Sequence, residues 1–286
     1  MQFKNVGVIG AGNIGLSVVT DLVLHGINTV LVDISSEQLE KAKSEIIKNV
    51  RFAPLLLKNA PKVTKEETLQ RTTFTTDIND VESCEFIIEN VIEDWSIKEK
   101  VYKQLDEITA PEVCFGSNTS CISITRIGSV TRRRDKVVGI HLMNPVHLKP
   151  VVEVIRGYHT SDETLETLDI LFKQLNKSAI IVKDFPGFVS NRISHLFMNE
   201  AVFVYQDQLA TADDIDSIFK KCFGHTMGPL ETADLIGLDT VMHSLDVLYE
   251  SFHDPKFRCC PLLRKMVYAG HLGRKSGKGF YDYPNI

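Results

Sequence analysis

The feature that most constrains this chain is a glycine-rich turn near its start. A short apolar run, KNVGVI (4–9), leads directly into GAGNIG (10–15), and the residues behind the turn carry helical periodicity. The next apolar run ends in Asp33, 18 residues beyond the last of these glycines. GxGxxG alone is a weak signal. A strand before it, a helix behind it and an acidic residue at the end of the second strand make it typical of a Rossmann-type dinucleotide site.

Each position of the turn has a physical reason for its residue type. Gly10 permits a tight bend, Gly12 lets the backbone approach a diphosphate, and Gly15 allows the helix to pack closely on the strand. The helix begins with Asn13 and Ile14, where unpaired N–H groups and a partial positive charge favour an anion. We therefore expect these five residues to bind the diphosphate of a dinucleotide.

Asp33 indicates which dinucleotide is bound. A carboxylate at this position would accept hydrogen bonds from the adenosine ribose hydroxyls and repel a 2′-phosphate. The residues that follow, Ile34, Ser35 and Ser36, include no arginine that would bind such a phosphate. The sequence predicts NAD, with NADP or FAD as the alternatives and an ordinary glycine turn as the non-functional interpretation.

The first part of the chain alternates apolar strands with helices, a pattern typical of a parallel sheet covered by helices on both faces. Serine or threonine three residues before glutamine or glutamate predicts capped helices that begin after Ser35, Ser96 and Thr160. Pro54 is expected to cut the first of these helices short. The predicted strands cover residues 4–9, 27–33, 85–90, 113–116, 136–141, 151–155 and 179–183.

The pattern changes at DFPGF (184–188), beyond which only helical periodicity remains. With 286 residues, the chain is long enough for two domains. We predict an α/β fold in which residues 1–186 form a Rossmann-type NAD-binding domain with a doubly wound, mainly parallel sheet. Residues 187–286 are predicted to form an all-helical domain. Its helices are expected at 190–207, 212–222, 229–236, 239–252 and 261–269.

A histidine and a glutamate mark the predicted chemical site. His141 ends a predicted strand, and Glu153 lies within the apolar run VVEVI, where an unpaired carboxylate would cost several kcal/mol. A bond from Glu153 to one ring nitrogen would fix the tautomer, so that the other nitrogen becomes a base directed at a substrate. A purely structural pair joining two strands is the alternative, but the neighbouring dinucleotide site favours catalysis.

Other polar residues follow the same predicted sheet edge. Asn118 and Ser120 come directly after a strand and would hydrogen-bond cofactor and substrate, although turn and cap roles are equally open. Glu93 and Lys98 follow the preceding strand, and Glu93 is also interpretable as a surface carboxylate. Asn191 begins the helical part, where it would face the cleft or cap a helix.

Composition excludes several classes of function. A net charge of −5 does not indicate a nucleic-acid or membrane surface, and no apolar run approaches the roughly 20 residues of a membrane span. Six cysteines without CxxC spacing predict free thiols in a reducing cytoplasm, and the first residues enter a strand without a signal peptide. The nine histidines show no ligand spacing, so no metal site is expected.

Taken together, these segments resemble the L-3-hydroxyacyl-CoA dehydrogenases, including the bacterial 3-hydroxybutyryl-CoA dehydrogenases. The resemblance runs nearly end to end, through VIGAGNIG, SNTSCISIT, DKVVGIHLMNPV, VVEVIRG, PGFVSNRI, HTMGPLETADLIGLDT and LGRKSGKGFYDY. It implies a substrate cleft between two domains and a helical domain that forms a homodimer. It also implies oxidation of the C3 hydroxyl of an acyl thioester by NAD.

The resemblance also implies a role for individual residues. His141 would be the catalytic base and Glu153 its partner, while Ser120 and Asn191 would hydrogen-bond the substrate oxygen. The remaining implied residues would help to bind NAD; they are Asp33, Glu93, Lys98, Asn118, Asn144 and Lys275.

Departures from the family pattern bear on the substrate. Where members that use CoA carry a lysine near the end of the second helix, this chain has Leu56, although Lys48 and Arg51 remain. After the catalytic histidine the chain has an extra His147 and a shifted Lys149. Several segments look closer to a subgroup that acts on acyl-carrier-protein thioesters to make hydroxymalonyl or aminomalonyl extender units in antibiotic biosynthesis. We therefore expect a small carrier-bound 2-hydroxy- or 2-amino-3-hydroxypropionyl substrate, with a short acyl-CoA such as 3-hydroxybutyryl-CoA as the alternative.

Two other classes fit the sequence less well. A related two-domain dehydrogenase with a lysine base would not carry HxxNP at the end of a strand. A non-catalytic NAD-binding protein would not need to keep Ser120, His141, Glu153 and Asn191 together.

Overall fold

The computed structural model describes residues 2–57 and 61–284 and divides the chain into two compact units, Met1–Phe185 and Pro186–Ile286. Among its described residues the first unit contains eight strands, and its helices connect them. The strands are β1 (Asn5–Ile9), β2 (Asn28–Val32), β3 (Thr72–Thr75), β4 (Phe86–Glu89), β5 (Cys114–Ser117), β6 (Val137–His141), β7 (Val151–Arg156) and β8 (Ser178–Lys183). The helices are α1 (Asn13–Leu24), α2 (Ser36–Leu56), α3 (Lys65–Arg71), α4 (Trp95–Ile108), α5 (Ile124–Ser129) and α6 (Asp162–Gln174).

These strands form a single sheet in the order β3-β2-β1-β4-β5-β6-β7-β8. All neighbouring pairs are parallel except β6 and β7, which are antiparallel. The strand order reverses between β1 and β4, and ligands of such sheets bind beyond the carboxyl ends of the strands at this point. The predicted α/β fold with a mainly parallel sheet is confirmed.

The second unit is helical. It contains α7 (Ser190–Gln206), α8 (Ala212–Cys222), α9 (Pro229–Ile236), α10 (Leu238–Phe252) and α11 (Pro261–Tyr268). A separate apolar core holds these helices together, with Val202, Leu230 and Leu245 fully buried in it. The predicted helix boundaries agree with these to within one residue.

Helix α1 anchors the glycine turn to the core of the first unit. It is buried on nearly all sides, and Val19 and Leu22 have no exposed surface. Burying one such side chain stabilises the fold by roughly 1.5–3 kcal/mol. Truncating Leu22 to alanine would therefore move or loosen the helix whose N-terminus faces the predicted cofactor.

Three local predictions are wrong. Helix α4 is capped by Asp94, whose carboxylate accepts from the backbone N of Ile97 at 3.1 Å, rather than by Ser96. Helix α6 is capped by Ser161, since the Thr160 hydroxyl instead donates to the carbonyl of Val137 at 2.6 Å. In both cases a neighbouring residue of equal capping strength offered the better geometry.

The third error concerns Pro54, which lies inside α2 without ending it. Ala53 is fully buried, and its carbonyl accepts from Leu57 N at 2.8 Å. The packing of Ala53 therefore allows the helix to continue beyond the proline. Helices α3 and α5 and the edge strand β3 were not predicted from the sequence. The strand is four residues long and contains one large apolar residue, Phe74, which is too little for a periodicity signal.

Candidate active site

The glycine turn between β1 and α1 has the close contacts that its sequence predicts. Gly10 has φ +93°, and a side-chain carbon there would lie 2.7 Å from the carbonyl oxygen of Asn90, just after β4. A carbon on Gly15 would lie 1.8 Å from the carbonyl oxygen of Gly10. Backbone therefore fills the space where both side chains would lie, and glycine is required at both positions.

Gly12 differs, because a side-chain carbon there would meet no atom within 4 Å. It is exposed and forms the N-cap of α1, and none of the described side chains caps this helix end. Asn13 is exposed and Ile14 half-buried in the first turn behind it. Open space in front of uncapped N–H groups at a helix N-terminus fits the diphosphate of NAD.

Asp33 lies directly after β2, beside this turn. One carboxylate oxygen accepts from the backbone N of Ala11 at 2.8 Å and the other from the backbone N of Ser35 at 2.9 Å. The carboxylate is thus fixed at the carboxyl end of the sheet, where it would meet a ribose. Gln38 strengthens the arrangement. Its side chain donates to the carbonyl of Ala11 at 2.8 Å and does not complete the capping box predicted with Ser35.

His141 and Glu153 lie opposite each other on the antiparallel pair β6 and β7. The Nδ1 atom of His141 is 2.8 Å from Oε2 of Glu153, and both side chains are largely buried. Because a carboxylate only accepts, Nδ1 carries the proton, and Nε2 is the acceptor nitrogen of the neutral ring. The Ser120 hydroxyl lies 3.3 Å from this Nε2 atom. The structure therefore brings together three of the predicted catalytic residues.

The turn that follows β5, residues 118–122, is held from two directions. The Asn118 backbone N donates to the carbonyl of Glu89 at 2.8 Å, and its side-chain oxygen accepts from the backbone N of Leu142 at 3.1 Å. Asn118 thereby ties the ends of β4 and β6 together. Glu93 contacts the remainder of the turn through the hydroxyl of Thr119 and the backbone N of Ser120.

A buried ion pair beneath this turn was not predicted. Glu89 and Lys98 are both fully buried, and the ammonium group lies 2.7 and 2.8 Å from the two carboxylate oxygens. Lys98 also donates to the Asn118 carbonyl at 3.0 Å, while the hydroxyls of Tyr102 and Ser117 donate to Glu89. Burial, with the nearby Glu89 charge, raises the pKa of Tyr102 well above its usual value. Lys98 therefore supports Asn118 from below the turn.

Three further predicted residues follow later in the chain. Asn144 is exposed in the loop after β6. Asn191 and Lys275 belong to the helical unit, where the Asn191 carbonyl lies 2.9 Å from Nδ1 of His195 and Lys275 forms an ion pair with Asp239 at 2.6 Å. Within residues 2–57 and 61–284, His, Cys, Asp and Glu form no group that would hold a metal ion. Over the same residues, the structure has no helix that is both long and apolar enough for a membrane span.

Comparison with known proteins accounts for this arrangement. Residues 5–185 match the NAD binding domain of 3-hydroxyacyl-CoA dehydrogenase, and residues 187–283 match the C-terminal domain of the same family. The chain is 43% identical to a probable 3-hydroxybutyryl-CoA dehydrogenase of Deinococcus radiodurans, over 97% of this chain and 99% of that protein. It is 42% identical to the 3-hydroxybutyryl-CoA dehydrogenase of Clostridioides difficile, over 97% of this chain and 99% of that protein.

A solved structure shows the same likeness. The crystal structure of (S)-3-hydroxybutyryl-CoA dehydrogenase from Ralstonia eutropha superposes with a TM-score of 0.92 at 39% identity, covering 99% of this chain and all of that one. The glycine turn fits NAD, and both domain models match along the chain. This chain therefore belongs to the 3-hydroxyacyl-CoA dehydrogenase family, as an NAD-dependent oxidoreductase.

Proposed function

We propose that this protein is a short-chain L-3-hydroxyacyl-CoA dehydrogenase that interconverts 3-hydroxybutyryl-CoA and acetoacetyl-CoA. The observation that carries the proposal is the arrangement around His141, with Glu153 at 2.8 Å from Nδ1 and the Ser120 hydroxyl at 3.3 Å from Nε2. The relatives from Clostridioides difficile and Ralstonia eutropha, at 42% and 39% identity, are named 3-hydroxybutyryl-CoA dehydrogenase, which favours a four-carbon substrate.

Four residues of the chain have distinct roles in the proposed reaction. NAD, held by the glycine turn and Asp33, would supply the hydride acceptor for C3 of the substrate. His141 removes the hydroxyl proton through Nε2, and Glu153 stabilises the imidazolium that forms. Ser120 donates to the oxygen on which charge develops, and Asn191 is proposed to do the same from the helical unit.

Several residues are proposed to bind the cofactor. Gly10, Gly12, Asn13, Ile14 and Gly15 would surround the diphosphate, and Asp33 would bind the adenosine ribose. Those proposed nearer the nicotinamide are Glu93, Lys98, Asn118, Asn144 and Lys275. Because Lys98 is fully buried, its contribution would pass through Asn118.

The test is NADH-linked reduction of acetoacetyl-CoA by the purified protein, with the His141→Gln variant as the background control. We expect rapid, NADH-dependent turnover that this substitution removes. No turnover of acetoacetyl-CoA by a folded protein that binds NADH would reject the four-carbon CoA substrate.

A second candidate substrate is a small hydroxyacyl group on an acyl carrier protein. The observation that favours it is an exposed apolar surface at the end of α2, where Phe52, Leu55 and Leu56 are 44%, 79% and 63% exposed. Leu56 stands where the family resemblance leads us to expect a lysine for the CoA phosphates. Turnover of 2,3-dihydroxypropionyl or seryl groups on a carrier protein, without turnover of acetoacetyl-CoA, would favour this candidate.

We further propose a homodimer formed by the helical unit and a cytoplasmic location. Leu235, Ile236 and Tyr249 on α9 and α10 are 51%, 40% and 43% exposed, an apolar surface suited to a second copy. The buried cysteines Cys84, Cys114, Cys259 and Cys260 are free thiols, as expected in a reducing compartment. Sedimentation of the purified protein as a monomer at micromolar concentration would contradict the dimer.

A further inference from the structure

We propose that Glu93 is a positioning residue, which holds the Ser120 hydroxyl at its distance from His141. The inference deepens the proposed function and rests on it, because Ser120 matters only where His141 is the base. It adds a second role to the cofactor binding proposed above for Glu93.

A single oxygen of Glu93 carries the contacts. Oε1 accepts from the Thr119 hydroxyl at 2.5 Å and from three successive backbone N–H groups, those of Ser120, Cys121 and Ile122, at 3.1, 2.8 and 3.1 Å. Successive N–H groups that converge on one point form an anion-binding nest. Here the anion is a side chain of the protein itself, located 26 to 29 residues earlier in the chain.

The backbone on the Glu93 side is firmly supported. Val91 N donates to the buried Glu89 carboxylate at 2.7 Å. Asp94, the next residue, caps α4 and donates its own backbone N to the Ile92 carbonyl at 2.8 Å. Glu93 therefore projects from a short connection that is fixed at both ends. Its carboxylate holds the turn in place relative to β4 and α4.

The far side of the turn is also fixed. Asp184, just after β8, accepts from the Ser123 hydroxyl at 2.7 Å and from the backbone N of Thr125 at 2.8 Å. Residues 119–122 thus span from the carboxyl end of β5 to the anchored start of α5, and Glu93 holds the middle of that span. Without it, three successive N–H groups would lose the acceptor that they share, and the turn would relax.

The distance that this relaxation would change is the one that matters for catalysis. The 3.3 Å between Ser120 Oγ and His141 Nε2 lies at the long end of the hydrogen-bond range. Misplacing a catalytic group by about 1 Å can cost about 10²-fold in rate. We therefore expect Glu93→Ala to lower kcat for acetoacetyl-CoA reduction by about 10²-fold. Its Kd for NADH should rise by a much smaller factor than kcat falls, because the glycine turn and Asp33 remain intact.

Matched variants separate positioning from other roles. Glu93→Gln keeps an oxygen acceptor and should recover most of the kcat that Glu93→Ala loses. Glu99→Gln removes a half-buried carboxylate of α4 that pairs with Lys103, and should behave as wild type. Since Glu93 acts through Ser120, adding Glu93→Ala to Ser120→Ala should cause little further loss, as for any two residues in one interaction.

A readout independent of substrate keeps this test apart from that of the proposed function. Amide hydrogen exchange at residues 120–122 should accelerate in Glu93→Ala and remain slow in Glu99→Gln. If exchange were faster in Glu93→Ala but the wild type did not reduce acetoacetyl-CoA, the proposed substrate would be rejected. The positioning contact would still be supported. Unchanged exchange, multiplicative losses in the double variant, or a raised NADH Kd at normal kcat would each overturn the positioning role.

Discussion

Two turns at the carboxyl edge of the same sheet are built in opposite ways. The turn after β1 depends on side chains that are absent, because Gly10 and Gly15 leave room for backbone and Gly12 leaves open space. The turn after β5 depends on side chains contributed from elsewhere, with Glu93 and Lys98 holding Asn118 and Ser120. The first presents backbone N–H groups to an anion, and the second places a hydroxyl beside a histidine.

This difference between the two turns reflects what binding and proton transfer each require. A phosphate needs converging N–H groups, which any correctly shaped backbone supplies. A proton transfer needs particular atoms at hydrogen-bond distance, so each side chain has to be held by others. Substitutions in the turn after β1 should therefore lower the affinity for the cofactor. Substitutions in the turn after β5 should lower turnover instead.

The largest expected effect is on turnover alone. His141→Gln removes the base but leaves the glycine turn and Asp33 unchanged, so kcat should fall by about 10³- to 10⁴-fold while NADH affinity is kept. Stopped-flow reduction of acetoacetyl-CoA and NADH fluorescence titration measure the two quantities separately. His243→Gln, on the exposed surface of α10, is the matched control. Turnover within tenfold of wild type in His141→Gln would show that another group is the base.

The second prediction concerns the support beneath the turn after β5. Glu89→Gln leaves the Lys98 ammonium buried without its counter-charge, and we expect a loss of about 3–5 kcal/mol in the free energy of unfolding. Replacing both residues, as Glu89→Gln with Lys98→Met, should restore most of that stability because no buried charge remains. Urea denaturation followed by circular dichroism measures both. An equal loss in the single and double variants would mean that hydrogen bonds, rather than charge, hold this region together.

The third prediction compares two glycines of the other turn. Gly15→Ala would force a carbon against the Gly10 carbonyl, and should destabilise the protein by about 1–3 kcal/mol, as overpacking commonly does. Gly12→Ala meets no atom and should fold normally, yet it should weaken NADH binding by filling the space that a diphosphate would occupy. Thermal unfolding and NADH titration of both variants separate the effects. Unchanged NADH affinity in Gly12→Ala would move the diphosphate away from this turn.

The difference between local patterns and contacts of distant residues explains which features could be predicted from the sequence. The glycine turn, Asp33 and the alternating elements are local patterns, and the predicted fold and NAD cofactor are confirmed. The buried pair of Glu89 and Lys98 was not predicted, because it joins residues of β4 and α4 whose partnership exists only once the sheet forms. The nest around Glu93 depends equally on a strand end and a distant turn.

The helix behind the glycine turn also contacts the segment that follows β6, through the His147 that departs from the family pattern. Ser17 on α1 accepts from the backbone N of Val146 at 2.8 Å, and its hydroxyl lies 3.0 Å from Nδ1 of His147. The helix behind the glycine turn is thereby bonded to the segment that follows His141. Because the Ser17 oxygen already accepts one hydrogen bond, its proton is available to Nδ1, an arrangement that suits the neutral ring of His147.

The smallest expected effect tests that connection through pH. Burial lowers the pKa of His147 below its usual 6.5, and Lys177 adds to this while Asp21 opposes it. A histidine whose pKa is lower in the folded state binds its proton more readily when unfolded. Its contribution to stability is therefore complete above about pH 6.5 and declines as the pH falls below that value, by at most about 1.4 kcal/mol per pH unit.

His147→Gln should flatten this decline when the free energy of unfolding is measured between pH 7 and pH 5. His25 supplies a control of opposite sign. Burial tends to lower its pKa, but hydrogen bonds to Asp21 raise it overall, so its contribution is complete below about pH 6.5 and is lost as the pH rises above that value. His25→Gln should leave the acid-side decline in place and change stability on the neutral side instead. If His147→Gln had the same pH dependence as wild type, the link between α1 and the segment after β6 would not depend on the charge state of this ring.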